Sequence, residues 1–214
     1  MRSKKKFKSV FDVLGIKVID KIHFKPETQD LELALLEVIY LADEDMHFFN
    51  LLIAWCEIHS DSIIYEKLEK HYSLYSKYRG KTIVYDIFMI FCAEFGKRRI
   101  KSRCSRQKSK ILFPNSTSTK AMLKKSPPID VLKKYNIYLP ENALRIRIDD
   151  IFSVKDLANR NQQYKNRYLF GACWRSDIIF CIEGGATSPS EIARVIGCSY
   201  EPANRIWNDY YAVN

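Results

Sequence analysis

The densest set of binding groups in the chain is basic. Residues 97–110, Lys-Arg-Arg-Ile-Lys-Ser-Arg-Cys-Ser-Arg-Gln-Lys-Ser-Lys, carry eight positive charges in fourteen positions. A run of this kind neutralises phosphates and gives an affinity for nucleic acid that is large, independent of base sequence and weakened by salt. Lys97, Arg98, Arg99, Lys101 and Arg103 are its candidate phosphate contacts. Bond-making chemistry is poorly provided for. The chain has no Gly-rich phosphate loop ending in Gly-Lys-Ser/Thr and no G-x-S-x-G nucleophile elbow. Cys56, Cys92, Cys104, Cys173, Cys181 and Cys198 include no C-x-x-C pair, and the four histidines are scattered, so neither a metal nor a cofactor is expected. The cysteines read as reduced thiols of a cytoplasmic protein.

Binding groups need elements that aim them, and the clearest lie at the C-terminal end. Between Ser188 and Asn208 the pattern is two short helices about a tight turn. Ile192, Ala193 and Ile196 share one face of the first, Gly197 supplies the turn, and Cys198, Ala203 and Ile206 continue the apolar face beyond it. Ser188-Pro-Ser-Glu191 is an S-x-x-E capping box, while Ser199 is an N-cap candidate with Pro202 in the following first turn. Upstream, Trp174, Ile178, Ile179 and Ile182 repeat at helical spacing, so three helices close a small core.

Leu169-Phe170-Gly171, Arg175 and the Ala193…Gly197 spacing together resemble the DNA-binding core of bacterial winged-helix regulators of the MarR and ArsR kind, over residues 169–210. The resemblance implies double-stranded DNA as partner, with the second helix of the pair in the major groove. Ser199, Tyr200, Asn204, Arg205 and Asn208 would then face base edges. Arg205 can bridge guanine O6 and N7, and Asn204 or Asn208 can pair with adenine. Ser188, Ser190 and Arg194 would reach phosphates. Glu201 on the same face either reads cytosine or is only a helix N-terminal anion. A winged-helix domain also needs a two-stranded wing, and only Tyr210-Tyr-Ala-Val-Asn214 follows. An earlier hairpin at 135–148 is one source for it; a bare three-helix unit or a fragment are the others.

The rest of the chain divides by charge. Residues 1–25 hold 8 Lys/Arg against 2 Asp/Glu, residues 26–95 hold 5 against 13, residues 96–125 hold 11 against none, and residues 126–214 hold 11 against 10. This predicts a basic N-terminal segment (1–25), an acidic helical domain (26–96), a basic linker (97–128) and a connecting segment leading into the helix-turn-helix domain (129–214). With few glycines and long helical patterns, the fold class is mainly α. Helices are expected at about 29–41, from Asp43 to Cys56, at about 62–74 and at 82–95, while Val10 to Ile19 fits a helix or a strand. The last helical run is too short to span a bilayer and no leader-like segment opens the chain, so no membrane partner is expected. A homodimer or a partner protein is expected to use residues 26–96.

Leu144, Ile146 and Ile148 alternate with Arg145 and Arg147 as in a strand, and a small β-hairpin through Pro140-Glu-Asn142 fits. Arg145 and Arg147 could then meet a phosphate backbone. Asp149-Asp150 is a carboxylate pair of the type used in metal-dependent nucleotidyl transfer, but no Gly-Ser phosphate-binding turn precedes it, and the chain is read as a non-enzyme. The function expected is transcription regulation through DNA. The alternative is a toxin–antitoxin or phage-defence component acting through protein contacts.

Overall fold

Short polar side chains start most of the long helices. Asp30 caps α2 (Leu31–Glu44) by accepting the Leu33 N–H at 3.1 Å, and Asp45 caps α3 (Met46–His59) through His47 N–H at 2.7 Å. Thr82 caps α5 (Ile83–Phe95) through Val84 N–H at 3.1 Å. The computed structural model describes residues 10–17, 30–96 and 103–213, and the protein is mainly helical. No helix among these residues is long and apolar enough to cross a membrane.

α2, α3 and α5 pack on one another and bury Leu35, Val38, Ile39, Leu52, Trp55, Ile87 and Phe88 completely. α4 (Tyr65–Arg79) lies on α2. It starts later than the Glu–Lys pattern suggested, after a 3-10 turn at Ser60–Ser62. It also runs on to Arg79, past the expected end at about 74, because nothing breaks it before Gly80. The undecided stretch at 10–19 is helical over Val10–Leu14, with no strand among its described residues. α1 (Val10–Leu14) buries Phe11, Val13 and Leu14, and Ile16 then bridges Ile151 in antiparallel fashion.

Residues 103–128 are not a free connection. Ile111–Leu112 (β1) pairs in parallel with Ile137–Tyr138 (β2), Phe113 is buried against Phe49, and α6 (Ser116–Met122) and α7 (Asp130–Lys133) follow on the same body. The expected hairpin at 135–148 does not form. β2 takes β1 as its partner, and residues 144–147 run extended with no ladder of their own. Leu144 and Ile146 turn to the core as the alternation required, but Ile148 lies 47% exposed in a 3-10 turn. Residues 129–164 therefore join the large N-terminal core rather than the C-terminal unit, and so does α8 (Val154–Arg160) through buried Leu157.

α9 (Gln162–Phe170) leads to a second, separate core. There α10 (Trp174–Glu183), α11 (Pro189–Ile196) and α12 (Tyr200–Val213) enclose Ile178, Ile179, Ile182, Ile192, Ile196, Ala203 and Ile206.

Candidate nucleic-acid interface

The α11–α12 pair has the geometry that its sequence implied. Ser188 Oγ accepts the Glu191 N–H at 3.2 Å, and the Glu191 carboxylate reaches back to the Thr187 N–H at 2.8 Å and its hydroxyl at 2.9 Å. Those two bonds hold the Glu191 carboxyl below its usual value. Gly197 ends α11 in the left-handed region at φ 74°, where any side chain is strained. α12 starts one residue past Ser199 with Pro202 in its first turn, and Ala203 and Ile206 bury its inner face.

The outer face of α12, with Ser199 just before it, carries the five residues expected to face base edges. Ser199, Tyr200, Arg205 and Asn208 are exposed and Asn204 is half-buried. Tyr200 is 55% exposed rather than packed, and its hydroxyl donates to Asn204 Oδ1 at 3.3 Å. Among the described residues, Arg205 and Asn208 spend no side-chain hydrogen bond within the protein. Ser190 and Arg194 are exposed on α11, while the Ser188 oxygen already serves as a cap.

The basic contribution differs from expectation. Lys97, Arg98, Arg99 and Lys101 lie outside the described residues. Arg103 lies against α4 at the surface, paired with Glu66 at 2.8 Å and with Glu69. The acidic face of α4 thus takes up a guanidinium that was expected to contact phosphate. Residues 171–213 hold only three Lys/Arg against five Asp/Glu, so the three-helix unit supplies little phosphate attraction itself. The 135–148 segment cannot serve as a wing, because it belongs to the other core.

What aims the unit is a buried charge cluster that sequence reasoning missed. Arg167 on α9 is fully buried and uses all five of its N–H donors. Nε and Nη2 meet Asp177 of α10 at 2.8 Å each, Nη1 and Nη2 meet Glu32 of α2 at 2.5 and 2.7 Å, and Nη1 also reaches the Ser62 carbonyl at 3.0 Å. Lys67 of α4, equally buried, pairs with Asp177 at 2.6 Å, with Asp30, and with Glu32 at 3.5 Å. Gln163 completes the set by donating to Asp177 at 3.1 Å and accepting the Leu31 N–H at 3.1 Å. Burial alone would raise the Asp177 carboxyl, but Arg167 and Lys67 outweigh it and hold the group below the ordinary carboxylate range. Nearby, Lys70 Nζ donates to the Gly197 carbonyl at 2.8 Å, so α4 also grips the helix-turn-helix at its turn.

The carboxylate oxygens of Asp30, Glu32 and Asp177 lie within 4.8 Å of one another, a spacing suited to a metal ion. Lys67 and Arg167 already sit among them, so the protein's own cations fill that role. The signal was present in the sequence. Asp177 stands three residues after Trp174 and next to Ile178, on the apolar stripe of its helix, where an acid needs a buried partner.

Asp149 and Asp150 fall in the 3-10 turn at Ile148–Asp150; the Asp149 carbonyl accepts from Lys17 Nζ at 2.7 Å and Asp150 is half-buried. The chain matches no protein-family model, no curated protein and no solved structure. A functional reading therefore rests on this geometry.

Proposed function

We propose that the protein is a cytoplasmic DNA-binding regulator that places α12 in the major groove of duplex DNA. The observation behind this reading is the outer face of α12. Tyr200, Asn204, Arg205 and Asn208 stand together on a helix whose opposite side is packed, after a left-handed glycine turn. An exposed helix bearing a guanidinium with paired donors and amides with a donor and an acceptor suits base-edge recognition, with Arg205 toward guanine and the asparagines toward adenine. Most of the affinity would come from basic residues elsewhere, since the three-helix unit is slightly acidic.

The test is selection of bound sequences from random duplex DNA at about physiological salt. A recovered motif is the expected result, and Arg205→Ala should erase the preference at one base pair, a loss of about 1–3 kcal/mol, with the melting temperature unchanged. Recovery of no motif would remove the recognition-helix assignment.

A second reading, a toxin–antitoxin or phage-defence component, is favoured by one observation. Tyr168, Leu169 and Phe170 are 65%, 61% and 49% exposed at the end of α9, a run of large apolar side chains that suits a protein partner. Leu74 and Tyr78 on α4 offer a further exposed pair within the 26–96 region expected to hold a second copy. Co-purification of a partner that is lost in Leu169→Ser, Phe170→Ser would support this reading over the first.

A further inference from the structure

A cleft of about 430 Å3 opens between the start of α3 and the 142–150 segment. That volume lies within the range of small-molecule sites, roughly 300–1,000 Å3. Its walls are of two kinds. Met46, Leu51, Pro114 and Met122 provide apolar surface, and Arg145, Arg147, His47, Asn50 and Asn142 bring polar groups to it, with Asp150 as the single carboxylate.

Leu144 and Ile146 turn to the core, and the alternation places Arg145 and Arg147 outward on the same side. The Arg145 N–H donates to Asn50 Oδ1 at 2.8 Å, which ties the segment to α3. Its ends are held as well, by the Pro128–Pro140 bridge on one side and the Ile16–Ile151 bridge on the other. The cleft is therefore built of fixed backbone. Yet among the described residues neither guanidinium has a hydrogen-bond or ion-pair partner, unlike Arg79, Arg103 and Arg167, which are all paired with carboxylates.

We propose that this cleft binds a small organic anion with an apolar ring system, of the size and charge of a nucleoside monophosphate. Arg145 and Arg147 take the anionic group, each guanidinium being able to meet two of its oxygens. The methionines, Leu51 and Pro114 cover the ring, and Asn50, Asn142 and Asp150 are at hand for ring amines and carbonyls. A duplex phosphate backbone is a poor fit, because the apolar part of the site lies in a recess. The assignment does not depend on the DNA-binding reading.

Calorimetric titration of the full chain with adenosine, guanosine, cytidine and uridine 5′-monophosphates tests it, with inorganic phosphate and adenosine as controls. At least one nucleotide should bind with a Kd below about 1 mM and more tightly than either control. Arg145→Gln, Arg147→Gln should weaken it at least tenfold without moving the melting temperature, since both side chains are exposed. Met122→Glu should weaken it while leaving both arginines in place. Failure of all four nucleotides to bind, or equal binding by the arginine variant, overturns the proposal. So does phosphate binding as tightly as the nucleotides, which would leave the apolar walls without a role. A variant that loses duplex affinity while no nucleotide binds would assign the arginines to DNA and overturn it too.

Discussion

His59 shows how one side chain sets a pH limit. It is buried between Trp55 and Tyr164. Nε2 lies 3.0 Å from the Phe152 carbonyl, which can only accept, so this nitrogen carries the proton, and Nδ1 accepts from the Tyr164 hydroxyl at 2.7 Å. The neutral ring is thereby fixed in one tautomer. Burial is the main cause that lowers its pKa from 6.5 to about 4, with the Phe152 bond opposing. Because the folded value is below the unfolded one, the stability this ring contributes is complete above pH 6.5 and lost as the pH falls toward 4. At roughly 1.4 kcal/mol per pH unit the loss amounts to about 3 kcal/mol. Urea midpoints measured between pH 7 and pH 4 should fall accordingly, and His59→Gln should flatten that part of the profile. An equal slope in the variant would assign the acid sensitivity to other groups. Nothing in Glu57-Ile58-His59 signalled this role, because both partners of the ring come from more than ninety positions away.

At the scale of elements, the α10–α12 unit was legible and α9 was not. Capping residues, a turn glycine and isoleucines at helical spacing are local signals, and they located α10, α11 and α12 closely. α9 lacks an apolar stripe because its inward face is Gln163, Tyr164, Asn166 and Arg167, residues that read as surface until their partners are known. The 135–148 hairpin failed for a related reason: alternation shows which side faces a core but not which strand lies alongside. Arg167 is where the missed element matters most. Arg167→Met should cost about 3–5 kcal/mol, because Glu32 and Asp177 stay buried without their main cation. Arg167→Lys should recover little, since an ammonium has three donors and the site uses five. Denaturant midpoints for the two variants check this, and a near-neutral Met variant would mean that the carboxylates find water or protons at little cost.

For the whole molecule, the charge map in the sequence and the charge arrangement in the fold differ. The acidic helical domain expected at 26–96 spends part of its charge inside the protein, where Asp30 and Glu32 are committed to Lys67 and Arg167, and part at its surface, where Glu66 and Glu69 hold Arg103. The mainly helical class was readable because it depends on composition and periodicity, whereas the joint between the two cores depends on pairs such as Glu32 and Arg167, 135 positions apart.

That joint also responds differently to ionic strength from anything on the surface. Mobile ions screen exposed charges over about 10 Å at 0.1 M but hardly reach buried ones, and Arg167, Glu32 and Asp177 have no solvent contact. Salt high enough to strip a protein from duplex DNA should therefore leave α12 held at the same angle to the large core. A distance measured between spin labels on α12 and α3 should be the same at 50 mM and at 1 M salt, while the duplex affinity proposed above, if present, falls by orders of magnitude. Loss of binding at high salt would then report on phosphates alone, and a distance that changed with salt would place the hold on α12 at the exposed Lys70 contact instead.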